Sequence, residues 1–337
     1  FFQEKETPMF QWQRLHFIDE LCRHGCEFDF INPLAFRTAE EANEVLLAQI
    51  KKEAYDLFLT NICYHKALFK ETIERIKQMG VPTLCFRSDN LTIPFFDKVT
   101  GPSFDLLWLT SKETQHMYDK WGVNTIFAPY AANPFFFKYM DPATINRNVC
   151  FIGTPYGSRP LMINALTEKG IPVDVYYKKN DYLNNITVKS TLKSEPVIPI
   201  TLSENTYMYG YPSVPSEEQP VIYSNHVLAL SSTSTKSTDV LRNPLKVVNL
   251  RAFEIPMSGG VELTKYSEEL SEYFEENKEI VFYHDNEELI DKARFYVEKA
   301  TDSQIRKMKE AARNRAQSDH SWWCRFTKVF DVLGLKY

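Results

Sequence analysis

Several side chains suited to ligand binding lie within one short segment, Asn249 to Gly260, which reads Asn-Leu-Arg-Ala-Phe-Glu-Ile-Pro-Met-Ser-Gly-Gly. The Glu254 carboxylate can accept two hydrogen bonds from a ribose diol, as acidic residues do in nucleotide-binding folds. The Arg251 guanidinium matches the geometry of a phosphate, and Asn249 is assigned to the same site. An amphipathic surface helix that ends at the glycine pair would give the same spacing, so both interpretations stay open.

A second candidate is the stretch Phe151-Ile-Gly-Thr-Pro-Tyr-Gly-Ser-Arg-Pro, which predicts a strand, a glycine-containing loop and a helix. Gly153 would let the backbone approach a diphosphate, and Arg159 would add a bidentate donor. Tyr156 is suited to stacking on a sugar or a base. Lys178, at the end of the next predicted strand, is assigned to the same donor site. An ordinary turn from strand to helix is the alternative.

Two further residues follow predicted strands in the first half of the chain. Asp89 comes after the apolar run Pro82 to Phe86, and His65 ends the segment Asn61-Ile-Cys-Tyr-His. Either side chain is suited to act as a catalytic base or to bind a sugar hydroxyl. An Asx-turn at Asp89 and a helix cap at His65 are the structural alternatives.

Composition and motifs exclude several classes of protein. The chain has 337 residues, 44% of them hydrophobic and 25% charged, with a net charge of −5, as expected for a globular protein of two domains rather than one that coats nucleic acid. It contains no G-x-G-x-x-G, no Walker loop, no C-x-x-C and no D-x-D, which argues against a dehydrogenase, a P-loop ATPase and a metal site. Six scattered cysteines predict reduced thiols and a cytoplasmic location.

The elements that position these residues alternate between apolar strand-like runs and amphipathic helices. This alternation predicts an α/β fold with parallel sheets. The predicted strands include Glu27 to Asn32, Val149 to Ile152, Val173 to Tyr177, Val197 to Leu202 and Val227 to Leu230. Helices are predicted to begin at Thr38, His65 and Thr110, the first and last with the spacing of a capping box to Glu41 and Glu113, and residues 302–333 are predicted to be helical.

Two Rossmann-like doubly wound domains follow each other and are expected to face a central cleft, which is the GT-B outline. We predict an N-terminal domain over 1–138, a C-terminal domain over 139–316 with a loop or flap at about 180–215, and a helix over 317–337 that returns to the first domain. Phe1 and Phe2 are predicted to end a first strand that begins before them.

The sequence resembles the CgeB-like glycosyltransferases, the "spore maturation protein" relatives of the group 1 glycosyltransferases. The likeness rests on the following segments: Asn249 to Gly260, Lys278 to Leu289, Arg313 to Arg315, His320 to Arg325, Phe104 to Thr110, Tyr118 to Gly122, Pro129 to Pro134, and Phe151 to Thr154 with Arg159. It covers nearly the whole chain apart from about 180–215.

This resemblance implies a GT-B enzyme that transfers a sugar from a nucleotide donor, UDP-type by expectation, without an essential metal or other cofactor. In the wider families that carry E-x7-E, the second Glu binds the donor ribose. Glu254 matches that Glu, and the first would fall at Lys246, so the acid that faces the sugar is absent. The literal E-x7-E from Glu254 to Glu262 is rejected because Pro256 and two glycines intervene and Glu262 lies in a predicted strand.

Two alternatives to this function are kept. One is a glycosyltransferase that modifies nucleic acid, as some phage enzymes do. The other is a non-catalytic module that binds a sugar or a nucleotide, or that associates with a coat, which the lysine at position 246 favours. The acceptor, the stereochemistry and the oligomeric state do not follow from the sequence.

Overall fold

The computed structural model describes residues 1–2, 12–91, 94–155, 157–179, 200–211, 214–233, 245 and 247–337. Contacts between residues divide the chain into two compact units. The first unit comprises Phe1–Tyr130 together with Trp322–Tyr337, and the second comprises Ala131–Ser321. Each unit holds one sheet of parallel strands, which confirms the predicted α/β class.

The sheet of the first unit has four described strands, in the order in which they occur along the chain. They are β1 (Phe58–Thr60), β2 (Thr83–Arg87), β3 (Leu106–Leu109) and β4 (Thr125–Phe127). The first three are almost completely buried, because a parallel sheet is covered on both faces. The Phe1 ammonium group donates to the Leu59 carbonyl (2.9 Å), and the Phe2 amide donates to the Ile31 carbonyl (3.2 Å). These two residues therefore lie beside β1, where the sequence predicts the end of a strand.

Helices cover this sheet, and the C-terminal one belongs to the same unit. The helices are Asp19–Arg23, Ala39–Lys52, Lys70–Gln78, Gln115–Lys120 and Trp322–Leu333. The buried Glu20 carboxylate accepts hydrogen bonds from the amides of Trp322 (3.1 Å) and Trp323 (3.0 Å). Since a helix leaves its first amides without backbone partners, Glu20 satisfies the start of this last helix. The Trp322 ring is fully buried against Phe17 and Trp108.

Three predicted boundaries in the first unit are wrong. Residues Glu27 to Asn32, predicted to be a strand, form no ladder with the described residues, although the Ile31 carbonyl accepts from the Phe2 amide. The helix expected to begin at His65 begins at Lys70. The helix expected to be capped by Thr110 begins at Gln115, and the Asn90 side chain binds the amides of Thr110 (2.9 Å) and Ser111 (3.0 Å).

The second unit holds six parallel strands in the order β7, β6, β5, β8, β9, β10. Their bounds are β5 (Asn146–Ile152), β6 (Val173–Lys178), β7 (Thr206–Tyr211), β8 (His226–Leu230), β9 (Glu262–Lys265) and β10 (Val281–Tyr283). Counted within the unit, this is the Rossmann order 3-2-1-4-5-6. The order reverses between β5 and β8, and ligands of open α/β sheets bind at the carboxyl ends of the strands at such a point.

The helices of this unit are Arg159–Thr167, Gln219–Asn225, Arg251–Met257, Glu268–Ser271, Asn286–Arg294 and Asp302–Asp319. The region expected to be a loop or flap contains β7, which pairs with β6 along six residues. The short strand predicted at Val197 to Leu202 is not formed at residues 200–202, and its first part lies outside the described residues. The stretch predicted to be helical over 302–333 is interrupted at His320 and Ser321.

All six cysteines are free. Among the helices that the structure describes, none has the length and apolar character needed to cross a membrane.

Candidate functional site

The carboxyl ends of β5 and β8 bring together most of the residues singled out in the second half of the sequence. Gly153 follows β5 directly, and Ser231 follows β8 directly. The two strands are neighbours in the sheet. Asn249 lies just before the two-turn helix Arg251–Met257, which we call the Arg251 helix.

Arg251 lies against the end of β5. Its Nε donates to the Ile152 carbonyl (2.9 Å). Gly153 has a φ of 141°, and a Cβ at this position would lie 2.7 Å from Nη2 of Arg251. The backbone conformation therefore favours glycine, and a Cβ here would displace the guanidinium that is packed on it. Gly153 and Arg251, both predicted from the sequence as donor-site residues, are thus in direct contact.

Asn249 ties the start of the Arg251 helix to the end of β8. Its Nδ2 donates to the Ser232 carbonyl (2.7 Å), and its Oδ1 accepts from the Arg251 amide (3.0 Å). The Val247 amide donates to the Thr233 carbonyl (2.7 Å). A single side chain therefore links the Arg251 amide to the end of β8.

Glu254 is the acidic residue of this helix, and 7% of it is exposed. Burial raises the pKa of Glu254 from 4.5 to about 7, although the Arg251 guanidinium lowers it. The carboxyl is thus partly protonated near neutral pH and costs the free protein stability when it ionises. A buried acid with a displaced pKa beside a guanidinium is a common feature of functional sites.

Three further residues lie in this region: Glu262, which was rejected above as a ligand, and Ser231 and Tyr223, which the sequence did not indicate. Glu262 in β9 is 1% exposed, and its Oε1 accepts a hydrogen bond from the Ser231 hydroxyl (2.5 Å). Burial raises the pKa of Glu262 to about 7, against the effects of Ser231 and Arg251. Tyr223 is buried nearby, and burial followed by the charge of Glu254 raises the pKa of its phenol. In the sequence, Glu262 and Ser231 could have been found as polar side chains within or directly after apolar strand segments.

The glycine pair after the Arg251 helix has a structural role. Gly259 has a φ of 71°, and its amide donates to the Pro256 carbonyl (2.8 Å). The Gly260 amide donates to the Ile255 carbonyl (2.8 Å), so the pair ends the helix as left-handed glycine caps do. A Cβ at Gly259 would also lie 2.3 Å from the Tyr139 ring.

The remaining donor-site candidates are placed around the end of β5. Arg159 begins the following helix and is buried, and its Nη1 donates to the Thr154 carbonyl (3.0 Å). Arg159 was expected to donate to a diphosphate, and in the structure one of its nitrogens donates to the backbone after β5 instead. Lys178 is exposed at the end of β6, the neighbour of β5. Tyr156 lies outside the described residues.

In the first unit, Asp89 lies two residues after β2 in a left-handed conformation, with a φ of 53°. The buried Tyr130 hydroxyl accepts from the Asp89 amide (3.1 Å) and donates to Asp89 Oδ1 (3.0 Å). Non-glycine residues in this conformation are concentrated at functional sites. His65 is exposed in the loop after β1, which pairs with β2, so both candidates lie at the carboxyl edge of one sheet.

A buried ion pair supports the same edge. Arg87, the last residue of β2, donates from Nε to Asp97 Oδ2 (2.8 Å), and the Tyr118 hydroxyl donates to the same oxygen (2.6 Å). Burial alone would lower the pKa of Arg87, but the Asp97 charge holds it above its ordinary value. Asp97 Oδ1 is buried, and no partner for it is found in the described part of the chain. This pair anchors the loop that contains Asp89.

Within the described ranges, no three His, Cys, Asp or Glu side chains converge in a way that would hold a metal ion. The absence of an essential metal or cofactor stays a prediction.

The comparisons with known proteins agree with this geometry. Residues 188–331 match a family model described as "Glycosyl transferase-like". This segment includes the Arg251 helix, β8, β9 and β10. A search of curated proteins found no match.

Solved structures show the fold of the chain as a whole. It is similar to HepE of Anabaena in complex with UDP and glucose, with 12% identity, a TM-score of 0.56, and coverage of 87% of this chain and 81% of HepE. It is also similar to a glycosyltransferase of Rickettsia africae, with 12% identity, a TM-score of 0.57, and coverage of 94% and 86%. A third is the α,α-trehalose 6-phosphate synthase of Burkholderia multivorans, with 11% identity, a TM-score of 0.55, and coverage of 96% and 81%. The predicted GT-B fold is thereby confirmed, and the family match supports the prediction of a glycosyltransferase.

Proposed function

We propose that this protein is a glycosyltransferase that takes a sugar from a UDP-sugar and binds the nucleotide at the carboxyl ends of β5 and β8. The observation that carries this proposal is the placement of Arg251 and Glu254, a cation and a buried acid, at the reversal point of a Rossmann-type sheet. HepE of Anabaena, which has the same fold, has been crystallised with UDP and with UDP-glucose. The resemblance to CgeB-like transferases and the match of residues 188–331 support the same reaction class.

In this proposal each residue near β5 has a separate task. The Glu254 carboxylate accepts hydrogen bonds from the ribose hydroxyls. Arg251 stabilises the negative charge of the diphosphate, and Gly153 allows the backbone to approach it. Arg159 shapes the loop between β5 and its helix by binding the Thr154 carbonyl. Lys178 is proposed to contact the donor from the end of β6.

The reaction breaks the bond between the anomeric carbon and the diphosphate oxygen. The electron pair of this bond leaves with UDP, and the sugar passes through a state that resembles an oxocarbenium ion. Arg251 and the backbone amides after β5 lower the barrier by stabilising the charge on the departing diphosphate. We propose that no metal is required. The position of the missing sugar-facing acid, Lys246, lies outside the described residues.

On the acceptor side, we propose that Asp89 removes the proton of the attacking hydroxyl, since its carboxylate is held in place by Tyr130. His65 is the other candidate base. Asp89→Asn should lower kcat strongly while leaving UDP affinity unchanged, and His65→Gln should do so instead if His65 is the base. Equal activity of both variants and the wild type would exclude a basic role for either residue.

The first test is nucleotide binding by the purified protein. We expect UDP and UDP-sugars to stabilise the protein in thermal-shift assays, and Glu254→Ala to weaken UDP binding about tenfold, the loss of one charge-assisted hydrogen bond. Glu298→Ala is a matched control, because Glu298 is exposed and lies in the same unit. Absence of stabilisation by any nucleotide or nucleotide sugar would refute the proposal.

A non-catalytic module is the second candidate, favoured by the lysine at position 246. It predicts UDP-sugar binding without donor hydrolysis or transfer to any acceptor.

Free cysteines throughout the chain support the proposed cytoplasmic location.

A further inference from the structure

We propose that Glu262 is a positioning residue of the donor site, and that it acts by holding Ser231 at the end of β8. This inference rests on the proposed function, since it concerns the same nucleotide site. Glu262 is not assigned a contact with the donor. Its role is to hold Ser231 and Ser232 at the end of β8, because Asn249 and Arg251 are bound to that point.

The first step of the argument is the contact between Glu262 and Ser231. The Ser231 hydroxyl donates to Glu262 Oε1 (2.5 Å), and both residues are 1% exposed. The Ser231 amide also donates to the Leu263 carbonyl (3.0 Å). Ser231 is therefore bound to β9 through both its side chain and its backbone.

The second step connects this contact to Arg251. Ser231 is followed by Ser232, whose carbonyl accepts from Asn249 Nδ2 (2.7 Å). Asn249 Oδ1 in turn accepts from the Arg251 amide (3.0 Å), and the Arg251 side chain reaches the Ile152 carbonyl (2.9 Å). An unbroken sequence of hydrogen bonds and covalent bonds thus leads from Glu262 to the guanidinium on Gly153.

The third step is the cost of placing a carboxylate at this position. Glu262 lies in the sheet interior, and its Oε2 is buried with no partner among the described residues. A buried carboxylate with one unused oxygen costs free energy that an apolar strand residue would not. The contact that compensates for this cost is the one to Ser231, so Glu262 has its effect at the end of β8.

Thr264 provides a matched control two residues along the same strand. Successive side chains of a strand alternate between faces, so Glu262 and Thr264 share one face of β9. Thr264 is fully buried, and its Oγ1 has no partner within the described ranges. Thr264→Val therefore changes the same buried layer without touching Ser231.

The experiment compares the wild type with Ser231→Ala, Glu262→Leu, Glu262→Gln and Thr264→Val. UDP affinity is measured by calorimetry, and the donor KM and kcat are measured with the UDP-sugar that stabilises the protein most. We expect Ser231→Ala and Glu262→Leu each to raise the UDP Kd and the donor KM about tenfold with little change in kcat, because binding alone is weakened. A variant that combines Ser231→Ala with Glu262→Leu should bind UDP no more weakly than either single variant, since both changes remove the same contact.

The conservative variant separates positioning from simple loss of stability. Glu262→Gln keeps an oxygen that can accept from Ser231, so its KM and Kd should stay within about twofold of the wild type. Thr264→Val should also leave both constants unchanged. If Ser231→Ala, the smallest change, binds UDP as tightly as the wild type, the inference is wrong. If Thr264→Val weakens UDP binding as much as Ser231→Ala, the weakening comes from any change on this buried face of β9, and the inference is also wrong.

Failure of the proposed function gives a different result. In that case the wild type itself binds neither UDP nor any UDP-sugar. A wild type that binds UDP, together with a Ser231→Ala variant that binds equally well, would overturn only the role of Glu262. Should Glu262→Leu fail to fold, Ser231→Ala and Glu262→Gln still decide the question.

Discussion

Glu254→Gln should stabilise the free protein above neutral pH and weaken its affinity for UDP. Burial raises the pKa of Glu254 from 4.5 to about 7, so the folded protein holds this proton more tightly than the unfolded chain does. The folded protein therefore loses stability as the pH rises from 4.5, the ordinary pKa of the carboxyl in the unfolded chain, to about 7, its pKa in the folded protein. The loss is complete above about pH 7. At about 1.4 kcal/mol for each tenfold change in proton affinity, it amounts to about 3 kcal/mol.

The glutamine variant avoids this loss because an amide of nearly the same shape carries no charge at any pH. We expect it to be up to about 3 kcal/mol more stable than the wild type at pH 8 and equally stable at pH 4. Its UDP affinity at pH 8 should fall about tenfold, since a charged acceptor for the ribose hydroxyls is replaced by a neutral one. The two effects have opposite signs, which a general packing defect would not produce.

Urea unfolding of both proteins at pH 4 and pH 8, with calorimetric titration of UDP at pH 8, measures both effects. Glu262 also has a raised pKa, but it is present in both proteins and cancels in the difference between them. Glu298→Gln, an exposed replacement in the same unit, should change neither quantity. The reasoning is refuted if Glu254→Gln is less stable than the wild type at pH 8, or if UDP binds both proteins equally.

Two further predictions concern single contacts. Gly153→Ala should weaken UDP binding at least tenfold, because the new Cβ would lie 2.7 Å from Nη2 of Arg251 and the φ of 141° strains any side chain; calorimetry showing wild-type affinity would contradict it. Asp97→Asn should destabilise the first unit by about 3–5 kcal/mol, because Arg87 would be left buried without its counter-charge. Glu74→Gln, which removes an exposed ion pair, should cost less than about 1 kcal/mol, and equal unfolding midpoints for these two variants would contradict the prediction.

The sequence predicted the strands of the second unit well where they are buried. The runs Val149 to Ile152, Val173 to Tyr177 and Val227 to Leu230 all lie in β5, β6 and β8, because a buried parallel strand is a continuous apolar run. The strand β7 was missed. It has only one neighbour and reads Thr-Tyr-Met-Tyr-Gly-Tyr, with half-exposed side chains. Such a sequence has the composition of a loop unless the neighbouring strand is known, and here Tyr209 stacks on Tyr176 with ring centroids 4.7 Å apart.

Helix starts were harder to predict because their caps come from distant residues. Thr110 and Glu113 have the spacing of a capping box, yet the Asn90 side chain binds the amides of Thr110 and Ser111, and the helix begins at Gln115. A local pattern has no information on a side chain twenty residues away that takes the Thr110 amide, which Glu113 would bind in a capping box. At Thr38, where the hydroxyl accepts from the Glu41 amide (3.2 Å), no such competitor exists among the described residues, and the predicted cap is present.

Glu254 and Glu262 show how much of a binding site can be predicted from residue types and spacing. Spacing alone fits an E-x7-E from Glu254 to Glu262, and the intervening Pro256 and glycines were the reason to reject it. The structure separates their roles by secondary structure: Glu254 lies on the Arg251 helix, and Glu262 lies within β9, bound to Ser231. What the sequence could not show is that both carboxyls are buried close enough to Arg251 to feel its charge. That follows from the pairing of β8 with β9, which places Glu262 opposite Ala229 and directs it toward the loop after β8. A residue rejected as a ligand is therefore the one that we expect to hold the ligand-binding residues in place.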